Sequence, residues 1–182
     1  MNALARIQPD CELPPTGGNV HYYPDGGTIG GANTGGRLFA VTETSGGRWY
    51  AMCRGGTGSA EGLFEFGGDP STFIVLHSGA GYRIAYDNPE RWEELPFSPF
   101  IQSALYNEGA DLILLFDWIR AVGYGPAGRV WSTPRLFLDD LCVVESNHRT
   151  VTLKGDELGC KSTVILDVYD GAILSGQPSR FN

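Results

Sequence analysis

The chain has 182 residues, 42% hydrophobic and 12% aromatic, which is enough for one sizeable core or two small ones and excludes a disordered chain. Its formal charge is −8, with 13 Lys and Arg scattered among 21 Asp and Glu. That balance argues against the clustered basic footprint of a nucleic-acid binder and makes a basic partner the better electrostatic match, although acidity at this size also serves solubility.

From Met1 to Pro9 the chain lacks the cationic region and long apolar run of a secretory leader, and no later stretch reaches the ~18 apolar residues of a membrane span. Cys11, Cys53, Cys142 and Cys160 are widely spaced with no C-x-x-C pair, so free thiols and a cytoplasmic location are expected. Their even number keeps a secreted, disulfide-bonded alternative open. Residues 1–36 hold Pro14-Pro15 and four glycine pairs and read as a glycine-rich arm, with residues 37–182 as a single all-β domain.

Three phrases then repeat one pattern of apolar stretch, glycine turn and second stretch. They are Arg37 to Glu43 with Ser45-Gly46-Gly47 and Arg48 to Met52, Phe73 to His77 with Ser78 to Gly81 and Tyr82 to Tyr86, and Leu112 to Val122 with Gly125 to Gly128 and Arg129 to Ser132. Each is a β-hairpin signal, with positive backbone angles expected at Gly46-Gly47, Gly79 to Gly81 and Gly125 to Gly128. Between the first two, Gly62 to Phe66 alternates, with Leu63 and Glu65 on one face and Phe64 and Phe66 on the other.

Asn88 as a cap, Pro89 at the first turn, Glu90 near the dipole and Pro96 as a stop predict one short helix over 88–95. Ser98 to Asn107 is a connector. The unbroken apolar run of Leu112 to Gly123 predicts a central strand buried on both faces. Further strands are expected at 136–138, 141–145, 150–154 and 163–169, and Tyr169 to Ala172 turns into a last hairpin with Ile173-Leu174. Eleven or twelve strands exceed what a single open sheet carries, so the expected fold is an antiparallel hairpin meander forming a two-sheet sandwich or a small propeller-like or barrel arrangement.

From Phe73 to Tyr169 the chain resembles a group of uncharacterised bacterial all-β proteins, through Ser78-Gly79-Ala80-Gly81-Tyr82 with Asp87 to Trp92 and through Trp131 to Leu136 with Asp139 to Leu141. That resemblance implies the fold and brings no activity or functional residue.

Reaction motifs are missing. There is no G-x-S-x-G; His77 reads as a strand-end imidazole bonded to backbone; Cys142, His148 and Cys160 match no zinc spacing; and Asp139, Asp140, Asp167 and Asp170 lack the alternation of a calcium loop. Gly26-Gly27-Thr28 and Gly55 to Ser59 lack the Lys and the following helix of a phosphate loop. No metal or cofactor is therefore assigned. Asp117, Asp139 and Glu145 are the candidate catalytic carboxylates, and Asp117, alone in an apolar run, is expected to pair with Arg120, Arg129 or Arg135. Trp118, Arg120, Trp131 and Asp140 are candidate binding residues, with core packing the competing role for the tryptophans.

Binding thus outweighs catalysis. The expected function is a protein-binding module with an acidic surface, of the immunity or inhibitor type, whose partner is another protein and basic; neither nucleic acid nor membrane is expected. A hydrolase using carboxylate acid and base, or a structural component whose strand edges join an assembly, are the alternatives.

Overall fold

The computed structural model describes residues 6–9, 19–24 and 36–180. They form sixteen strands: β1 (Ile7–Pro9), β2 (Val20–Tyr23), β3 (Gly36–Thr42), β4 (Arg48–Arg54), β5 (Gly62–Phe66), β6 (Asp69–His77), β7 (Ala80–Ala85), β8 (Asn88–Glu94), β9 (Ser103–Asn107), β10 (Leu112–Phe116), β11 (Ala121–Gly125), β12 (Gly128–Ser132), β13 (Asp139–Ser146), β14 (Thr150–Glu157), β15 (Cys160–Asp167) and β16 (Ile173–Ser175). The fold is all-β, as expected. Of the arm assigned to residues 1–36, the described parts supply β1 and β2, and the remainder, including Cys11, lies outside the described residues.

Four sheets of four strands follow in chain order, β1-β3-β4-β2, β5-β6-β7-β8, β9 to β12 and β13 to β16. β2 runs parallel to β4, whereas β1 with β3, β3 with β4, β6 with β7, β7 with β8 and the neighbouring strands of the last two sheets pair antiparallel. None of the sheets closes into a barrel among the described residues. The chain divides into two compact units, Met1–Glu65 with Asp69–Phe100, and Phe66–Gly68 with Ile101–Asn182.

Within the first unit two sheets pack face to face. Phe39, Val41, Trp49 and Ala51 meet Phe73, Val75, Tyr82, Ile84 and Tyr86, and each of these large side chains contributes about 1.5–3 kcal/mol by leaving water. In the second unit Leu114, Phe116, Ala121 and Trp131 pack with Leu136, Phe137, Val151, Leu153, Val164 and Leu166. Both cores carry the same cross-sheet bond. Trp49 donates its indole N–H to the carbonyl of Tyr86 at 2.9 Å, and Trp131 donates to Val168 at 2.7 Å; in each the carbonyl lies 37 residues downstream and just past a strand of the facing sheet. A buried indole needs such a partner, so each bond sets the depth of its tryptophan. Trp131, expected as a binding residue, is thus a core side chain.

Local chemistry explains the departures from expectation. The segment 88–95 is not a helix but β8, because Trp92 pairs opposite Ile84 and turns its ring inward onto Tyr23 and Tyr82, while Glu90, Arg91, Glu93 and Glu94 stay exposed. Cross-strand packing of one aromatic outweighs a two-turn helix that nothing else would cover. Ser103–Asn107, inside the expected connector, is β9. The stretch from Leu112 to Gly123 is two strands, since the Asp117 carboxylate accepts the amides of Ile119 at 2.8 Å and Arg120 at 2.6 Å and closes a tight turn between β10 and β11. Both strands are fully buried, as the apolar run implied.

Positive angles occur at Gly46, Gly79 and Gly128 but not at Gly47, Gly81 or Gly125, so each glycine-rich turn uses only one of its glycines in the left-handed region.

Candidate interaction surface

The turn between β10 and β11 begins with Asp117, whose side chain is 9% exposed. Besides the two amides, its carboxylate accepts Nε and Nη2 of Arg120 at 3.0 and 2.8 Å. The expected arginine partner is therefore Arg120, and the two-pronged contact satisfies the carboxylate. With four donors on its two oxygens, Asp117 holds the turn rigid.

That rigidity exposes the next residue. Trp118 is 51% exposed, a large apolar area to leave in water, while its backbone carbonyl accepts the amide of Leu141 at 3.1 Å. A second bond, from the Leu136 amide to the Ile119 carbonyl at 2.8 Å, ties the same turn to the approach of β13. The opening of β13 is thus set beside Trp118.

Asp139 and Asp140 stand at that opening and are exposed. Asp140 takes a left-handed backbone angle of 63°, accessible to aspartate, and its amide is held by Asp139 Oδ1 at 2.8 Å. Lys161 of β15 bonds Asp140 at 2.8 Å and reaches Asp156 of β14 at 3.7 Å. The hydrogen bond to Asp140, with the nearby carboxylates, raises the Lys161 pKa and keeps it a cation. Cys142, paired with Lys154, is on the outer face of this sheet, whereas Cys160, paired with Glu157, is on the face carrying Leu153 and Val164. Both are exposed, and no disulfide joins them.

Asp117, Trp118, Arg120, Asp139 and Asp140 are therefore brought to one end of the second unit. Glu145 lies exposed near the far end of β13, and Trp131 is in the core. Lys161 and Asp156 join the surface without a signal in the sequence, because only the register of β14 with β15 puts them beside Asp140. Among the described residues no group of three or more His, Cys, Asp or Glu side chains is placed to hold a metal ion, and no helix is long and apolar enough to cross a membrane.

His77 at the end of β6 bonds the Glu61 carboxylate through Nδ1 at 3.2 Å. Burial works to raise the Glu61 pKa, but the Ser78 amide at 2.7 Å, His77 and the Ser78 hydroxyl outweigh it and hold the acid below its ordinary value. Glu65, on the face expected for it, accepts the buried Tyr86 hydroxyl, and burial together with that carboxylate pushes the phenol up.

Comparison of the chain with protein-family models and with curated protein sequences finds no match.

Proposed function

We propose that the chain is a protein-binding module that docks a basic partner on the surface formed by the β10–β11 turn and the start of β13. The observation that carries this reading is Trp118, half exposed on a turn that Asp117 and Arg120 make rigid. A pre-set aromatic anchor gains contact area without an ordering cost on binding. Around it four carboxylates, Asp117, Asp139, Asp140 and Asp156, stand against two cations, Arg120 and Lys161. The excess negative charge favours lysine and arginine side chains, which can also sit over the indole face. An inhibitor or immunity role needs no more than such a surface. Free thiols at Cys53, Cys142 and Cys160 suit a reducing compartment such as the cytoplasm.

The test is a titration of the labelled protein with an arginine- and lysine-rich peptide containing one aromatic residue, followed by two-dimensional NMR. Shifts should centre on the Trp118 indole and the amides of 117–120 and 139–142, and weaken as salt rises. Trp118→Ala should reduce affinity by about tenfold or more, the range of an interfacial anchor. Asp139→Asn with Asp140→Asn should slow association. Shifts centred elsewhere, or equal affinity for all variants, would overturn the assignment.

A further inference from the structure

The hairpin of β14 and β15 is closed by a two-residue turn, with Glu157 opposite Cys160 and with Leu158 and Gly159 at the tip. Both tip residues are left-handed, at φ 55° and 81°, as turns of this length require. Leucine suits that position badly. Its Cβ is crowded in the left-handed region, and no packing compensates, since at 74% exposure Leu158 is the most exposed large apolar side chain among the described residues. The first unit builds the same turn with a polar residue: Ser78 and Gly79 close β6 and β7 at φ 47° and 79°. The hairpin itself therefore does not demand a leucine. A residue kept against both its backbone preference and its solubility points to a contact with something outside the unit.

Side-chain bonds tie this tip to the surface around Trp118. The Gly159 amide donates to Asp156 Oδ1 at 2.7 Å, the other oxygen of Asp156 lies 3.7 Å from Lys161 Nζ, and Lys161 bonds Asp140 at 2.8 Å. Asp156 is opposite Asp139, so Leu158 stands two residues beyond the level of Asp139. Trp118, whose carbonyl accepts the Leu141 amide, stands two residues the other way. At ~3.3 Å per residue the two apolar groups are roughly 13 Å apart, with Asp139, Asp140 and Asp156 between them. Lys161 is already held by two of these carboxylates. Lys154, exposed opposite Cys142, lies past the Trp118 end, so positive charge on a partner belongs between the two apolar groups.

We infer, building on the docking surface proposed above, that the partner presents a basic amphipathic helix, with one apolar side chain on Trp118, a second on Leu158 and lysine or arginine over the aspartates between. Side chains seven or eight positions apart on a helix are about 11–12 Å apart along its axis, close to the separation of the two anchors. Positions three and four fall between them on the same face, where the aspartates stand. An extended segment is disfavoured by the edge it would have to join. β13 lies at the margin of its sheet, but its ladder shifts register twice and the Leu141 amide is already taken by Trp118. A helix carries its own backbone bonds and docks through side chains alone.

Calorimetric titration of the whole protein with three designed peptides tests this. The first is a helix former with Leu at positions i and i+7 and Lys or Arg at i+3 and i+4; the second is the same sequence broken by a central proline; the third is the unstructured basic peptide used to test the docking surface. The helical peptide should bind at least about tenfold more tightly than its broken form. Leu158→Ser places at the tip the residue type of the equivalent turn in the first unit and should keep the native circular dichroism spectrum. It should weaken the helical peptide about tenfold and leave the unstructured one unchanged. Equal affinity of the helical and broken peptides, or no effect of Leu158→Ser on the helical one, would overturn the helix while binding of the unstructured peptide at Trp118 upholds the docking surface. No binding of any of the three, or affinities untouched by Trp118→Ala, would remove the surface and the helix with it.

Discussion

Replacing Gly123 by alanine should destabilise the second unit by about 2–6 kcal/mol, a range built from two costs. Gly123 is on fully buried β11, opposite Trp131 of β12, and the indole lies flat against the space a side chain would fill. A Cβ there would be 2.3 Å from Cε2, 2.4 Å from Nε1 and 2.8 Å from Cζ2 of Trp131. Ordinary carbon contacts are about 3.5–4.0 Å, so the ring must withdraw by more than about 1 Å. Overpacking of this kind costs about 1–3 kcal/mol. The withdrawal also stretches the 2.7 Å bond from Nε1 to the Val168 carbonyl beyond hydrogen-bonding range, leaving buried groups unpaired at about 1–3 kcal/mol more. For a chain of this size the melting temperature should fall by about 5–15 °C. Urea unfolding followed by far-ultraviolet circular dichroism measures the loss, and the same substitution in a Trp131→Phe background isolates its cause. Phenylalanine lacks the indole atoms that clash and the donor that is lost, so Gly123→Ala should cost far less there. A native-like midpoint for Gly123→Ala, or an equal cost in both backgrounds, would refute the role given to the indole.

Asp117→Asn should lower stability by about 1–3 kcal/mol, because an amide nitrogen would face donors that the carboxylate accepts, and chemical denaturation reads this directly. Partial burial works to raise the Asp69 pKa, but bonds from Ser71, Thr72 and Arg83 outweigh it and hold the acid at about 2. Its contribution should therefore be complete above about pH 4 and vanish as pH falls toward about 2, so Asp69→Asn should be costly at pH 6 and nearly silent at pH 2 in paired melting curves. Gly46→Val, at a backbone angle of 90°, should cost more than about 1 kcal/mol, whereas Gly47→Val meets only the movable end of Glu43 and should cost less in the same assay. Under native conditions a maleimide should label Cys142 and Cys160, and Cys53 only after unfolding, as peptide mass mapping would show; burial also pushes the Cys53 thiol up.

Hairpins were the legible part of this fold. The turns at Ser78-Gly79 and around Gly128 are written in adjacent residues, and their left-handed glycines announce themselves between apolar runs. The segment at Asn88 was not, because Asn-Pro-Glu opens a helix or a strand equally well and only the facing Ile84 decides. Asp117 was legible as a paired carboxylate but not as a turn former, since its bonds to Ile119 and Arg120 amides depend on a reversal that the surrounding apolar residues conceal. Trp131 could not be separated from Trp118 by type or neighbours. Its partner carbonyl lies far along the chain, and that long-range bond alone makes one ring core and the other surface.

The irregular ladder of β13 bears on how the molecule avoids its own copies. This strand has eight residues, lies at the margin of its sheet and includes Val143 and exposed Val144, the composition that recruits further strands into fibrils. Register shifts between Asp139 and Cys142 and between Val143 and Glu145 break its outer row of amides and carbonyls into short, misaligned pieces, and the aspartates at its start add charge. A second chain would find no continuous template to copy. The kinks that present Asp139 and Asp140 thus also act as a guard against aggregation, and a straightened β13 would trade a docking face for a polymerising one.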